Sequence, residues 1–226
     1  MRRSQINRII SDGIDFFSEH RFALPPFADW SPGEWQERAG QARGIVERGL
    51  GWDVTDFGRA DFEHIGLILF TLRNGLLESL ATGCRVLYAE KAMIVRVGQV
   101  TPMHRHHSKT EDIINRGGGR LAVKLYPSDA NDALGAGDVR FVADGLQHEA
   151  PAGHVFVLDP GASVTLTPDL YHSFWAVDGP VLVGEVSTVN DDRRDNRFYE
   201  EVPRFPAIDE DESPIRLLVS DYERYL

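Results

Sequence analysis

Apolar positions near the start of the chain recur at helical spacing. Ile6, Ile9, Ile10, Ile14, Phe16 and Phe17 line one face of residues 4–21, which predicts an amphipathic helix with Ser4 as its N-cap. Leu24-Pro25-Pro26 ends it, because proline cannot continue a helix and biases the preceding residue toward extended backbone. A second helix opens at Ser31-Pro32-Gly33-Glu34, where serine caps, proline fits the first turn and Glu34 completes a capping box; it ends near Gly49 to Gly51. From residue 65 the pattern changes to β-rich runs: Ile65 to Leu72, Arg85 to Val97, Leu121 to Tyr126, Val139 to Val142, Val155 to Leu158, Ser163 to Leu166, Ser173 to Val177 and Val181 to Thr188. Turn formers separate them, among them Arg73-Asn74-Gly75, the run from Asn115 to Gly119, Asp159-Pro160-Gly161 and Asp178-Gly179-Pro180.

Short strands with close turns predict an antiparallel sandwich or barrel, and the lack of βαβ alternation disfavours a parallel α/β fold. The expected organisation is one domain over residues 1–226. A mainly helical segment spans 1–64, a β-barrel core 65–188 and an extension 189–226, with the helices outside the barrel. Phe27, Trp30 and Trp35 are expected in the core. The acidic IDEDES run reads as a solvated face or as a segment folded back over a cavity mouth, and Ile215 to Leu226 as a strand or short docked helix.

Composition narrows the class. A 226-residue chain that is 42% apolar can bury a sizeable core. A formal net charge of −11 with no basic stripe disfavours nucleic acid as a partner. The single cysteine, Cys84, excludes an intramolecular disulfide framework, suits a reducing compartment and reads as a small buried hydrophobe. The N-terminal residues lack a continuous apolar h-region, and no uninterrupted apolar run reaches the ~18 residues of a membrane span. The expectation is a soluble, cytoplasmic protein without a membrane partner.

Candidate chemistry concentrates between Gly98 and Gly119. His104 and His106 stand one residue apart and Glu111 follows five residues after the second. On a strand, residues i and i+2 share a face about 7 Å apart, close enough for two imidazoles to reach one ion. Imidazole and carboxylate donors together suit borderline metals such as Mn, Fe, Co, Ni or Zn. His172, in LTPDLYHSFWAV, can face the same interior of an antiparallel barrel and complete a shell of His104, His106, Glu111 and His172. His107 alternates to the other face, and His20, His64, His148 and His154 have no partner pattern. Lys91, within the strand run AEKAMIVRV, and Glu185, within VLVGEVS, are costly to bury without a partner. Lys91 is expected to face the cavity, Glu185 is the leading general-base candidate or a structural ion pair, and Lys109 is a site residue or an exposed turn lysine. Asp191, Asp192 and Glu210 are weaker options for a proton shuttle or lid.

The spacing Gly98-x5-His104-x-His106-x4-Glu111-x6-Gly118 resembles the first cupin motif at each fixed position. Pro168 and His172 resemble the second motif more loosely, with three intervening residues for the usual four and no glycine between them. LPPFADWSP, LGWDVTDFGR, LFTLRNG, YAEKAMIVRVGQVTPMH, KTEDIINRGGG, LYHSFWA and GEVSTVNDDRRDN together resemble the D-lyxose ketol-isomerase family of cupins. That resemblance implies a mainly β jelly-roll barrel and a Mn²⁺-dependent aldose–ketose isomerase. It further implies action on D-lyxose/D-xylulose and D-mannose/D-fructose through an enediol, commonly as a homodimer. Two alternatives stay open on the residues: a cupin dioxygenase or oxidase using the same shell, and a non-catalytic sugar-binding cupin.

Overall fold

In a computed structural model, which describes every residue except Cys84 and Arg193, the chain is mainly β and its strands pair antiparallel throughout. The expectation for Cys84 therefore lies outside the described residues. The strands are β1 Gly51–Thr55, β2 Leu67–Arg73, β3 Tyr88–Val95, β4 His104–His106, β5 Glu111–Gly118, β6 Leu121–Pro127, β7 Val139–Ala143, β8 Leu146–Ala150, β9 Val155–Leu158, β10 Ser163–Leu166, β11 Leu170–Ala176, β12 Val181–Thr188 and β13 Asn196–Phe198. One sheet has the order β1-β2-β3-β12-β5-β10-β7-β8 and the other β13-β4-β11-β6-β9. This is a jelly roll: inward side chains of both sheets, including Leu69, Met93, Ile113, Val123, Phe141, Phe174 and Val183, meet in one apolar core.

A second core lies on the outer face of the larger sheet, where helix α1 (Arg3–Glu19) packs Ile6, Ile10 and Phe17 over Trp52, Ile68, Phe70 and Ile94. β2 is thus covered on both faces, and its continuous apolar run LILF follows from that double burial. Further helices are α2 (Pro32–Glu37), α3 (Ala39–Glu47), α4 (Leu77–Thr82) and α5 (Tyr222–Tyr225). Ser31 does form the capping box: its side chain accepts from the Glu34 N–H, and Glu34 accepts from the Ser31 N–H at 2.9 Å. Trp35 is buried beside Leu217 and Tyr222, with Phe27 and Trp30 against them.

Several expectations need correction. The helical reading of residues 1–64 misses β1, whose apolar alternation is short and follows two glycines. The helix expected from Ser31 to Gly49 is broken at Arg38 into α2 and α3. Residues 115–118 belong to β5 rather than to a turn, since β12 pairs along them as far as Gly118. Gly118 has φ +91°, and a Cβ there would overlap the Pro180 carbonyl oxygen, so both conformation and space call for glycine. Ser4 does not cap α1; its N–H and hydroxyl donate to Asp211, at 2.9 and 2.6 Å. The IDEDES run is exposed, as the solvated reading expects, and its acids are at the same time engaged at the start of α1. Asp209 O accepts from the Arg3 N–H at 2.8 Å, Glu212 accepts from Asn7, and Glu210 binds the Arg3 guanidinium. The run closes the N-terminus of α1, whose first amides have no partners within the helix. The last residues form α5. No helix among the described residues is long and apolar enough to cross a membrane.

Candidate metal centre and active site

β4 is three residues long and carries His104 and His106 on one face, as strand alternation requires. Arg105, between them, turns to the other face. There it pairs with Asp132 and donates to Pro168 O at 3.2 Å, tying β4 to the approach to β11. His172 stands directly opposite His104 across the β4–β11 pair. Glu111 opens β5 in the other sheet, so the candidate ligands are drawn from both sheets and meet in the space between them.

Ligand atoms of His104, His106 and His172 all lie within 4.8 Å of one another. Donors bonded to one ion at about 2.1 Å stand roughly 3 to 4.2 Å apart, so a small inward shift closes this set on a metal. Nδ1 of His104 donates to Pro102 O at 2.8 Å, and Nδ1 of His172 to Leu170 O at 3.2 Å. Carbonyls only accept, which leaves the Nε2 lone pair of each ring facing inward. Glu111 Oε1 stands 3.2 Å from Nε2 of both His106 and His172. Yet Nε2 of His172 and both ring nitrogens of His106 are buried without a hydrogen bond among the described residues. Buried polar atoms left unpaired cost about 1–3 kcal/mol each, and a cation among them removes that cost.

The protonation states suit a cation as well. Burial, with the neighbouring His172 and His106, holds His104 well below the usual imidazole value; at His106 burial outweighs the attraction of Glu111 and lowers it too. Burial pushes Glu111 up, but Lys109 and His106 outweigh it and hold this carboxyl well below the usual range. Neutral imidazoles and an ionised carboxylate are the forms that bind a divalent metal.

Beside the imidazoles lies a polar network. Lys91 on β3 and Glu185 on β12 are register partners, both buried and both facing the cavity. Lys109 is also buried, which sets aside its reading as an exposed turn lysine. Its ammonium has three acceptors: Glu111 Oε2 at 2.6 Å, Glu185 Oε1 at 2.9 Å and Asn190 Oδ1 at 3.2 Å. Lys91 likewise has Asn190 Oδ1 at 3.0 Å, Asp192 Oδ1 at 3.1 Å and Glu185 Oε1 at 3.4 Å. Each ammonium thus faces three protein acceptors, two through hydrogen bonds and one as an ion pair. Burial lowers Lys109, but Glu111, Glu185 and Asp192 outweigh it and hold the ammonium above the ordinary lysine value. Burial raises Asp192, and Lys91, Arg204 and Lys109 reverse that, leaving it well below the carboxylate range. The bonds of Glu185 to these lysines and to Ser187 all run through Oε1, and among the described residues Oε2 has no hydrogen bond.

The cavity over this network encloses about 470 Å³ including its mouth, and is walled by Phe57, Leu69, Met93, Phe174 and Phe198. An apolar wall around a few convergent polar groups is the general form of a small-molecule site. Sequence reasoning missed Asn190, Asn196, Arg204 and Asp195, and ranked Asp192 among weaker options. For Asn190, Asp192, Asp195 and Asn196 the one sequence signal is the polar run NDDRRDN shortly after β12, and Arg204 lies outside it. Arg204 reaches the cavity and pairs with Asp53 at 2.6 Å and with Asp192 at 3.4 Å. Glu210 lies on Arg3, away from the cavity, and His107 is exposed. His20, His64, His148 and His154 do not line the cavity.

A jelly roll whose two sheets bring three histidines and a carboxylate together beside an apolar-walled cavity has the form of a small-molecule site with a candidate metal centre. The family model described as D-lyxose isomerase matches residues 1–222, and the chain belongs to that family. It is 48% identical over 229 residues to a D-lyxose/D-mannose isomerase of Escherichia coli O157:H7, covering all of both chains. It is also 48% identical over 231 residues to a D-lyxose/D-mannose isomerase of Serratia proteamaculans, again covering both in full. Among solved structures, L-ribose isomerase of Geodermatophilus obscurus shares the fold with a TM-score of 0.59 at 18% identity, covering 92% of this chain and 98% of the other.

Proposed function

We propose that this chain, a sugar isomerase by family, is a divalent-metal-dependent enzyme interconverting D-lyxose with D-xylulose and D-mannose with D-fructose. His104, His106, Glu111 and His172 would hold the metal, with Mn²⁺ as the expected ion. When bound, the ion supplies Lewis acidity to the neighbouring hydroxyl and carbonyl oxygens of the sugar. The observation that carries the reading is the pairing of that donor set with a buried carboxylate beside it, Glu185, whose Oε2 has no hydrogen bond among the described residues.

The reaction moves a proton between C2 and C1 while the two oxygens exchange roles. Glu185 Oε2 is the proposed base: it takes the C2 proton of the aldose and returns it to C1 of the ketose. Lys91 and Lys109 steady the Oε1 side, so Oε2 keeps one orientation during the transfer. Lys109, with its pKa held up and its protons engaged, keeps its charge and offsets the negative charge that develops. A proton leaves O2 as one arrives at O1, and the hydroxyl-rich substrate can pass it between its own adjacent oxygens. Each lysine and Arg204 already faces a carboxylate, so the charges of these three cations are balanced within the protein and a neutral sugar fits the site. Phe174, Phe198 and Met93 line the cavity around the transferred proton.

The working unit is proposed to be a cytoplasmic homodimer, for which light scattering should give about twice 25.3 kDa. The deciding experiment is incubation with D-lyxose and Mn²⁺ in D₂O. Deuterium at C1 of D-xylulose is expected; absence of any ketose with Mn²⁺, Co²⁺ or Zn²⁺ would sink the proposal.

A further inference from the structure

We infer that Asp195 is a positioning residue for the metal centre, acting through His106. It lies in the polar segment between β12 and β13, remote in sequence from the histidines. Its backbone carbonyl accepts from the His107 N–H at 2.9 Å. Its Oδ1 accepts from the Ser108 N–H at 2.9 Å and the Ser108 hydroxyl at 2.7 Å, and its Oδ2 from the Lys109 N–H at 3.1 Å. All of these bonds fall on the turn that joins β4, with its histidines, to β5, with Glu111. One residue thus spans the connection between the proposed ligands.

The same Oδ2 stands 3.8 Å from His106 Nδ1. On the far side of that ring, Nε2 faces Glu111 at 3.2 Å. His106 differs from its neighbours here: His104 and His172 donate Nδ1–H to backbone carbonyls, whereas among the described residues His106 Nδ1 is buried with no hydrogen-bond partner. Asp195 is the acceptor in place for it. When Nε2 binds a cation, Nδ1 must carry the proton, the ring is polarised and the pull toward a carboxylate strengthens, which draws the 3.8 Å gap to hydrogen-bond length. Asp195 thereby sets the tautomer and ring plane of His106, a role that backbone carbonyls perform for the other two histidines.

This inference rests on the metal reading of the site, and the test separates the two. Mn²⁺ binding is followed by loss of the free-ion electron paramagnetic resonance signal in wild type, Asp195→Asn and Ser108→Ala, with thermal unfolding of each metal-free protein alongside. Asparagine keeps an acceptor for Ser108 but loses the second carboxylate oxygen. It should weaken Mn²⁺ binding about 10- to 100-fold. Ser108→Ala removes part of the clamp and leaves Asp195 facing His106, so its affinity should stay near wild type. Equal affinities of Asp195→Asn and wild type overturn the inference, as does a loss in Ser108→Ala as large as in Asp195→Asn, since the clamp alone would then account for it. A wild type that takes up no Mn²⁺ overturns the metal reading itself. Should Asp195→Asn fail to fold, Zn²⁺-loaded wild type with ¹⁵N-labelled imidazoles decides. A slowly exchanging His106 Nδ1–H beside those of His104 and His172 is expected, and its absence overturns the inference.

Discussion

Glu185 is buried in a strand otherwise built for an apolar core, and its two lysines meet only one of its oxygens. If Oε2 moves the proton, Glu185→Gln should lower kcat about 10²- to 10⁴-fold while the protein keeps its bound metal. Steady-state kinetics together with metal analysis check this. A variant that loses metal in proportion to activity would instead make Glu185 a support for Glu111 through their shared Lys109. Asn190 shows why the surrounding charges stay ordered. Its Oδ1 accepts from both lysines, while its backbone exchanges bonds with Asn74, its N–H donating to Asn74 Oδ1 at 3.0 Å and its carbonyl accepting from Nδ2 at 2.9 Å. Each cation is thus held by groups that are themselves fixed.

At the scale of elements, the site depends on where short strands start and stop. β4 carries two proposed ligands in three residues and is held by β11 on one side and β13 on the other. β5 starts at Glu111 and must leave the sheet at Gly118, where positive φ and the Pro180 carbonyl exclude a side chain. Gly118→Ala is expected to cost about 1–3 kcal/mol in metal-free protein. Gly137→Ala, where an added Cβ meets nothing within 4 Å, should be neutral or slightly stabilising. Urea unfolding of the two variants tests this, and a Gly118→Ala protein as stable as wild type would show that the turn relaxes freely. The glycine of the motif thus has a reason in backbone geometry, apart from any contact with the metal.

For the whole molecule, the two chain ends are locked together. Arg3 is fully buried and binds Glu210 and Asp221 through paired charge-assisted bonds of 2.7 to 2.9 Å. The hydrogen bond from Arg3 holds Glu210 below the usual carboxylate range. A carboxyl lowered in the folded state adds stability above its unfolded pKa of about 4.3, and that stability is lost as pH falls through the folded value. Glu210→Gln should therefore cost on the order of 1 kcal/mol at pH 7 and converge on wild type in strong acid, below the lowered folded pKa of Glu210. Denaturant unfolding at the two pH values measures it, and an equal gap at both would assign the loss to packing instead of charge. The buried Asp221 keeps Arg3 paired in this variant, so the protein should still fold.

What the sequence alone determined is what depends on neighbours along the chain. The β-rich runs, the capping box at Ser31 and the cluster of His104, His106 and Glu111 were legible because strand alternation, helix caps and ligand spacing act over a few residues. The likeness of long segments to known sugar isomerases extended that reading to a family. Pairing between distant segments was decided only in three dimensions. His172 faces His104 because β11 lies against β4, Lys91 meets Glu185 because β3 lies against β12, and the acids of IDEDES close α1 because the chain ends converge. Asp195 and Arg204 were invisible for the same reason: a polar residue in an irregular segment has no periodicity, and its partners are chosen by the fold that brings them within bonding distance.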